Sequence, residues 1–375
     1  MKKILKNQNK IKQKDIFYMK KAIKLSKKGE YTTDPNPNVG CVIVKKKKIV
    51  GIGWHEKYGT NHAEVNAINM AGKLAKNGTA YVSLEPCNHF GKTPPCCQAI
   101  VKSGIKRVVI SSMDPNPKVS GKGVKFLKKS GILITTGILK KQSEYINRGF
   151  LKRMKTGLPW IQLKLAISID GRTAMKNGES KWITSNHARK DVHKFRSKSS
   201  AIISTSNTIL TDNPLLTARY KIKNNDKIKQ PIRIIVDSQN RVKPYHNLIK
   251  QTEKIWLIRL KKDNETWPNH VQQILIPSYK KKINLIKLFY MLGKKEINTI
   301  WIESGSIFFS KILNLGIADE IIFYIATKML GDTGKPSFIT NKITNLKNVP
   351  NFRLEKIKRI GPDIKIILKP YIKNQ

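Results

Sequence analysis

Acidic residues are scarce in this chain. Against 73 lysines and arginines stand only 24 aspartates and glutamates, a formal net charge of +49. A surplus of that size points first to nucleic acid, because lysine and arginine neutralise phosphates. Aromatic residues are also few, at 7%. They do not interleave with the basic runs, so the stacking platforms of a single-strand binder are missing. Lysine is spread along the whole chain beside abundant isoleucine and asparagine, the residues favoured by AT-rich codons. Runs such as Lys45–Lys48 and Lys280–Lys282 fall where turns are expected. The charge therefore reads as compositional drift, and no nucleic-acid partner is expected. Cysteine is short too, with four residues. Three of them fall between Cys87 and Cys97, which fits metal binding in a reducing compartment and not a disulfide framework. No apolar run reaches the ~18–20 residues of a membrane span. The leading MKKILKNQNKIKQK has charge without the apolar stretch of a secretory signal. No membrane association and a cytoplasmic location are expected. The second half opens with no G-x-G-x-x-G, so a Rossmann dinucleotide site is not supported.

What is present suits two globular domains: 375 residues, 39% of them hydrophobic. Residues 1–14 form a basic N-terminal segment. Asp15 is placed to cap a helix that Gly29 ends, with apolar residues at Ile16, Met19, Ile23 and Leu25. TTDPNPNVG is turn-rich. VGCVIV and IVGIGW read as a strand pair joined by the lysine turn. HAEVNAINMAG, CCQAIVKSG and GVKFLKKSG read as helices, and TAYVSLEP, KRVVISS and ILITT as strands. The alternation argues for an α/β sheet covered by helices. The pattern breaks at Gly157-Leu158-Pro159, which divides a domain over 15–156 from one over 157–375. The second series runs through the strands WIQLKLAIS, AIIST, PIRIIVDS, KIWLIR, TIWIES and EIIFYIA. A polar insertion at Lys221–Lys229 reads as a loop.

His62 and Glu64 stand two residues apart at the start of a helix, away from any apolar stripe. Downstream, LEPCNHFGKTPPCC places Cys87 at a strand end and Cys96 at a helix start. Zinc takes tetrahedral N and S ligands, and a catalytic site keeps one position for water. His62, Cys87 and Cys96 supply three ligands. Glu64 is left to take a proton from water and pass it to a leaving amine, the division of labour in zinc deaminases. Those enzymes show H-x-E followed by P-C-x-x-C. Here eight residues, Asn88–Pro95, separate the thiols. Such a loop, carrying His89, Lys92 and Thr93, suits a small polar substrate. Cys97 competes with Cys96 as third ligand, and Cys96 is the favoured choice.

TTDPNPNVGCVIV, HAEVNAI, YVSLEPCNHFGKTPPC and MDPNPKVSGKG, in this order, resemble the deaminase half of the bifunctional riboflavin-biosynthesis (RibD) family. LKLAISIDGRTA, GESKWITS, TILTDNPLLTAR, PIRIIVDSQNR and WIESG resemble its reductase half. The similarity covers Asp15 to about Lys369. It implies a cytidine-deaminase-like three-layer domain followed by a dihydrofolate-reductase-like α/β domain. It also implies zinc and NADPH as cofactors and a phosphoribosylated pyrimidine as substrate. A homo-oligomer is expected. A tRNA adenosine deaminase is the alternative, and neither the long spacer nor the second domain suits it. The resemblance puts Asn36, Pro37 and His89 near the first substrate. It puts Ala166, Trp182, Thr208, Asp212, Ser238 and Gly305 at NADPH, and Ser180, Arg196, Leu216, Arg219 and Glu303 at the second substrate.

The residues of the second half can also be read directly. TIWIESGS runs a strand into Gly305 ahead of a helix, where backbone N–H groups attract a diphosphate. The substrate's phosphate calls for arginine forks. In a lysine-dominated chain, arginine persists at Arg172, Arg189, Arg196 and Arg219. Lys164 alternates with apolar residues on its strand and can face the active site. Asn213, in place of a more usual acidic residue, and Ser306, where proline is common, depart from the family pattern.

Overall fold

The computed structural model describes residues 2–220, 228–339 and 344–371, with side chains from residue 12 onward, Asn348 excepted. The insertion at Lys221–Lys229 lies largely outside the described residues. Two compact units divide the chain, Met1–Gly157 and Leu158–Gln375.

The first unit opens with helix α1 (Lys2–Ser26). The helix does not start at Asp15, as the capping pattern suggested. No glycine or proline interrupts residues 2–26, and lysine and glutamine favour helix, so nothing stops it earlier. Asp15 is buried in its middle. Its carboxylate accepts both Arg107 terminal nitrogens, at 2.9 and 2.7 Å, and the Tyr81 hydroxyl at 3.0 Å.

Strands β1 (Gly40–Lys45) and β2 (Lys48–Trp54) form a hairpin whose turn residues Lys46 and Lys47 both take positive φ. Helix α2 (Ala63–Ala71) leads to β3 (Thr79–Leu84), α3 (Cys96–Lys102), β4 (Arg107–Ser112), α4 (Lys122–Lys129) and β5 (Leu133–Thr136). Helices α5 (Lys140–Ile146) and α6 (Arg148–Thr156) close the unit. The sheet order is β2-β1-β3-β4-β5. Successive strand residues point to opposite faces. Cys41, Ile43, Ala80, Val82, Val108 and Ile110 pack against α2, α3 and α4. Val42, Val44, Tyr81 and Val109 pack against Met19, Ala22 and Ile23 of α1. The result is three layers.

In the second unit, β6 (Trp160–Ser168), β7 (Arg172–Ala174), α7 (Asn186–Lys198), β8 (Ala201–Thr205), α8 (Ser206–Asp212), β9 (Ile232–Val236), β10 (Ile255–Arg259) and β11 (Val271–Leu275) come first. A small hairpin, β12 (Ser278–Tyr279) and β13 (Lys282–Ile283), precedes α9 (Leu285–Lys294), β14 (Thr299–Glu303), α10 (Ser306–Asn314) and β15 (Glu320–Ala326). Then come β16 (Lys335–Pro336), β17 (Phe352–Ile360) and β18 (Asp363–Pro370). Nine strands form one sheet in the order β11-β10-β9-β8-β14-β6-β15-β18-β17. It is parallel from β11 to β15, and β17 and β18 add an antiparallel edge. Its central strands are buried on both faces and accordingly carry near-continuous Ile, Leu and Val. Among the described residues, no helix is long and apolar enough to cross a membrane.

Candidate functional site

In the first unit the sheet and two helix starts bring three ligand residues together. His62 is the N-cap of α2, and Cys96 opens α3 after Pro95. Cys87 lies three residues past β3. Helix α2 can sit this close to β2 only because Gly53 has no side chain, since a Cβ there would lie 2.3 Å from the Ala63 carbonyl oxygen. His62 Nδ1 is 3.5 Å from Cys87 Sγ and 3.3 Å from Cys96 Sγ. The Cys96 backbone N–H points at Cys87 Sγ, 3.4 Å away. All three donor atoms lie within 4.8 Å of one another. A tetrahedral zinc holds N and S donors about 3.6 Å apart, so this donor set fits the ion. Hydrogen bonding from the Cys96 thiol, opposed by burial and aided by His62, lowers the Cys87 pKa and so favours its thiolate, the form that binds a metal.

Cys97 is not brought to the ligand cluster. Its thiol donates to the Pro86 carbonyl at 3.3 Å and lies 3.7 Å from the Gly123 carbonyl oxygen, inside the core. Glu64, one residue into α2 and buried, stands beside the donors without joining them. Burial raises its carboxyl to about 7, with Cys87 adding to the shift and His62 opposing it.

Asn36 Nδ2 is 3.2 Å from His55 Nε2, and His55 Nδ1 is 3.1 Å from the Asn61 carbonyl oxygen. The His55 ring packs edge-on against His62, centroids 5.1 Å apart. Reading of the motifs missed His55, although it follows directly on IVGIGW. Burial lowers its pKa and so favours the neutral ring, against the opposing hydrogen bond to the Asn61 carbonyl. In the enlarged loop, His89 Nδ1 is buried without a hydrogen-bond partner.

In the second unit the expected residues gather at the C-terminal edge of the parallel strands, where open α/β sheets bind ligands. Lys164 on β6 is in register with Glu303, the last residue of β14. Their charged atoms, Nζ and Oε2, are 3.8 Å apart. Arg196 on α7 reaches the same carboxylate, and its NH1 donates to the Thr217 carbonyl at 2.9 Å. Its planar fork is therefore engaged by Glu303, not free for a phosphate. Arg219 is more exposed, with its NH1 3.2 Å from Thr217 Oγ1 and its NH2 3.2 Å from His193 Nε2.

Thr208 and Asp212 lie on α8 directly after β8, Ser238 lies just past β9, and Gly305 caps α10 after β14. A Cβ on Gly305 would meet nothing within 4 Å, so the first turn of α10 is open to a diphosphate. Ala166 lies on β6 between β14 and β15. Ser180 and Trp182 belong to the irregular stretch before α7. Trp182 is exposed, with the Arg189 guanidinium 4.4 Å from its ring centroid. Leu216 points into the core cluster of this unit, so only its backbone can face a ligand. Arg172, on β7, donates to the Gly334 carbonyl at 3.4 Å.

Comparison with known proteins decides the family. The RibD C-terminal domain matches residues 159–366, and the cytidine and deoxycytidylate deaminase zinc-binding region matches residues 12–112. A riboflavin biosynthesis protein RibD from Buchnera aphidicola subsp. Baizongia pistaciae (strain Bp) is 58% identical over 366 residues, covering 95% of this chain and 98% of the relative. The chain belongs to the RibD family. A diaminohydroxyphosphoribosylamino-pyrimidine deaminase from Buchnera aphidicola subsp. Schizaphis graminum (strain Sg) is 70% identical over 146 residues, 39% of this chain and 99% of that protein. In that relative the deaminase half stands alone. A crystal structure from Thermotoga maritima, described as a diaminohydroxyphosphoribosylaminopyrimidine deaminase/5-amino-6-(5-phosphoribosylamino)uracil reductase, superposes with a TM-score of 0.85 at 31% identity. It covers 96% of this chain and 99% of its own. RibD membership makes the first unit a cytidine-deaminase-like domain and the second a dihydrofolate-reductase-like reductase domain. Zinc and NADPH are the cofactors of such a pair, and the tRNA-deaminase alternative is not favoured.

Proposed function

We propose that this chain carries out two consecutive steps of riboflavin biosynthesis. The first hydrolytically removes the 2-amino group of 2,5-diamino-6-(5-phosphoribosylamino)pyrimidin-4(3H)-one. The second reduces the ribosyl group with NADPH to give 5-amino-6-(5-phosphoribitylamino)uracil. The observation that carries this reading is the His62–Cys87–Cys96 donor set with Glu64 buried beside it, in a chain that continues into a reductase unit.

When bound, zinc supplies the Lewis acidity that makes water a nucleophile at neutral pH. His62, Cys87 and Cys96 hold it. Glu64, with a carboxyl raised to about 7, takes the proton of the attacking water and returns it to the departing amine. Asn36, steadied by His55, and the unpaired Nδ1 of His89 offer hydrogen bonds to the pyrimidine.

In the second unit, NADPH supplies hydride, and Ala166, Trp182, Thr208, Asp212, Ser238 and Gly305 line its place. Turning a ribosyl into a ribityl group delivers hydride to the anomeric carbon and a proton to the ring oxygen. Lys164 gives that proton, a role supported by its contact with Glu303 at 3.8 Å and by burial, which lowers its pKa and makes the proton easier to release, with Glu303 opposing. Glu303, fixed by Arg196, orients Lys164 and the sugar hydroxyls. Ser180, Arg219 and the Leu216 backbone complete the substrate side, with Arg219 as the exposed phosphate-binding fork.

The enzyme acts in the cytoplasm, as a homo-oligomer, with no nucleic-acid partner. A paired assay tests the main reading. The diaminopyrimidinone ribotide is supplied with NADPH, and ammonia release and NADPH absorbance are followed together. Equal, sequential signals are expected. No ammonia from zinc-loaded protein would overturn the reading. Light scattering, and RNA titration at physiological salt, test the assembly and partner statements.

A further inference from the structure

Glu85 follows the last residue of β3 and stands two residues before Cys87. It is buried, and the zinc-site chemistry makes no use of it. Its carboxylate accepts three backbone N–H groups from a single distant stretch. Oε2 takes those of Asp114 at 3.3 Å and Gly121 at 3.1 Å, and Oε1 takes that of Val124 at 3.2 Å. Its own N–H donates to the Ser112 carbonyl at 2.9 Å. One side chain thus ties the strand-to-Cys87 turn to both ends of the loop between β4 and α4.

The packing around this contact leaves little slack. Gly123 lies so close to the turn that a Cβ would sit 2.1 Å from the Pro86 carbonyl oxygen and 3.3 Å from Cys97 Sγ. The Cys97 N–H donates to the Cys87 carbonyl at 3.1 Å, so the turn is also pinned to α3. The loop itself is shaped by Asp114, whose Oδ1 accepts the Asn116 N–H at 2.8 Å. This stretch is the MDPNPKVSGKG motif, for which the deaminase chemistry has no role so far. A carboxylate suits the position because it offers two oxygens to converging N–H donors, and donors to a charged acceptor bind more strongly.

We infer that Glu85 is a positioning residue of the deaminase site. It holds the Asp114–Gly121 loop against the turn that carries the ligand Cys87, and through that turn it governs how the pyrimidine is held. This rests on the deaminase reading of the first unit. The loop touches none of the three ligand atoms, so its expected effect is on substrate orientation and not on metal retention. A displaced loop therefore raises KM more than it lowers kcat, in line with the sensitivity of orientation effects to small displacements.

The test uses full-length, zinc-loaded protein and the variants Glu85→Gln and Glu85→Ala. Five quantities are measured: zinc per chain, KM and kcat for ammonia release, amide hydrogen exchange over residues 113–124, and NADPH-dependent reduction of the deaminated compound. Glu85→Gln is expected to keep its zinc and its reductase activity. It should show faster exchange at Asp114, Gly121 and Val124, and raise the deaminase KM about ten-fold with a smaller change in kcat. Glu85→Ala should go further in the same direction, with Gln as the partial rescue. An unchanged KM, or activity that falls only in step with zinc content, would overturn the inference. If Glu85→Ala does not fold, Glu85→Gln decides it alone. If the unaltered chain releases no ammonia, it is the deaminase reading that fails. The exchange and zinc measurements then still decide whether Glu85 holds the loop.

Discussion

Arg196 and Glu303 meet as a fork on a carboxylate, Nε to Oε1 at 2.5 Å and NH2 to Oε2 at 2.9 Å. The Trp301 indole donates to the same Oε1 at 2.8 Å, and Lys164 stands on the other side. Burial alone would raise the Glu303 pKa. The charges of Arg196 and Lys164, with the hydrogen bonds from Arg196 and Trp301, overcome that and hold it at about 2. Glu303 is therefore an anion whose position is set by an arginine, beside a lysine that needs it.

Arg196→Lys preserves the charge and removes the fork. The expected outcome is a loss of about ten-fold or more in kcat/KM for reduction, because Glu303 and Lys164 lose their mutual alignment. Ammonia release should stay at the unaltered level. Steady-state kinetics on the deaminated compound check this, and full reductase activity would show that the fork is dispensable.

The depressed Glu303 pKa also makes a statement about acid stability. Its folded value lies below the ordinary 4.5, so the stability it contributes is complete above that pH and is lost as pH falls toward about 2. A shift of that size corresponds to roughly 3 kcal/mol. Urea unfolding of the second unit should weaken between pH 4.5 and 3, and Glu303→Gln should flatten that dependence. Replacing the anion also leaves two cations facing each other, so the variant should be less stable at pH 7 by about 3 kcal/mol. Parallel pH profiles for both proteins would count against the assignment.

Adjacent cysteines should behave oppositely. Cys96→Ser is expected to lose zinc and deamination together, since the hydroxyl is a poor substitute for a thiolate ligand. Cys97→Ser should keep zinc. It sits in the core with its thiol directed at the Pro86 and Gly123 carbonyl oxygens, which a hydroxyl can also serve, so the cost should be about 1 kcal/mol. Metal analysis after dialysis and a urea melt separate the two effects.

Most of the strand and helix alternation was legible because each element carries a strong period and ends at glycine, proline or a cap. The clustering of His62, Cys87 and Cys96 was legible because a metal site demands particular residue types at strand and helix ends. Other features were hidden by their physical nature. Asp15 looked like a helix cap because its partner, Arg107, lies 92 residues away, and a buried ion pair leaves no local pattern. The β17 and β18 hairpin was missed because β17 is mostly exposed and mixes Lys, Arg, Glu and Ile without a clean alternation. Leu216 was expected at the substrate through motif position, whereas its side chain belongs to the core. His55 and Glu85 stand next to recognisable motifs, but their tasks depend on contacts that only the fold creates.

The Asp15–Arg107 contact should be a main fastening of α1 to the sheet. The Asp15 side chain is 4% exposed and that of Arg107 25%. Removing one member leaves the other partly buried and unpaired, and Tyr81 loses its acceptor. Asp15→Ala should destabilise the first unit by about 2–4 kcal/mol, a range discounted for the exposure of Arg107. Differential scanning calorimetry should show the deaminase transition moving down while reductase activity at moderate temperature is kept. An unmoved transition would mean that the apolar face of Met19, Ala22 and Ile23 suffices to hold the helix.

Glu64→Gln tests whether the two units are chemically separate. The amide occupies the same buried space, cannot take a proton from water, and leaves His62, Cys87 and Cys96 untouched. General acid–base groups of this kind contribute about 10²–10⁴-fold, so ammonia release should fall by at least that factor while zinc content stays at the unaltered level. Reduction of the deaminated compound with NADPH should proceed at the unaltered rate, because Lys164, Glu303 and Arg196 belong to the other compact unit. Loss of both activities with zinc retained would mean that the sites depend on each other. Retained deamination would mean that a group other than Glu64 moves the proton, and His55 would be the next to replace.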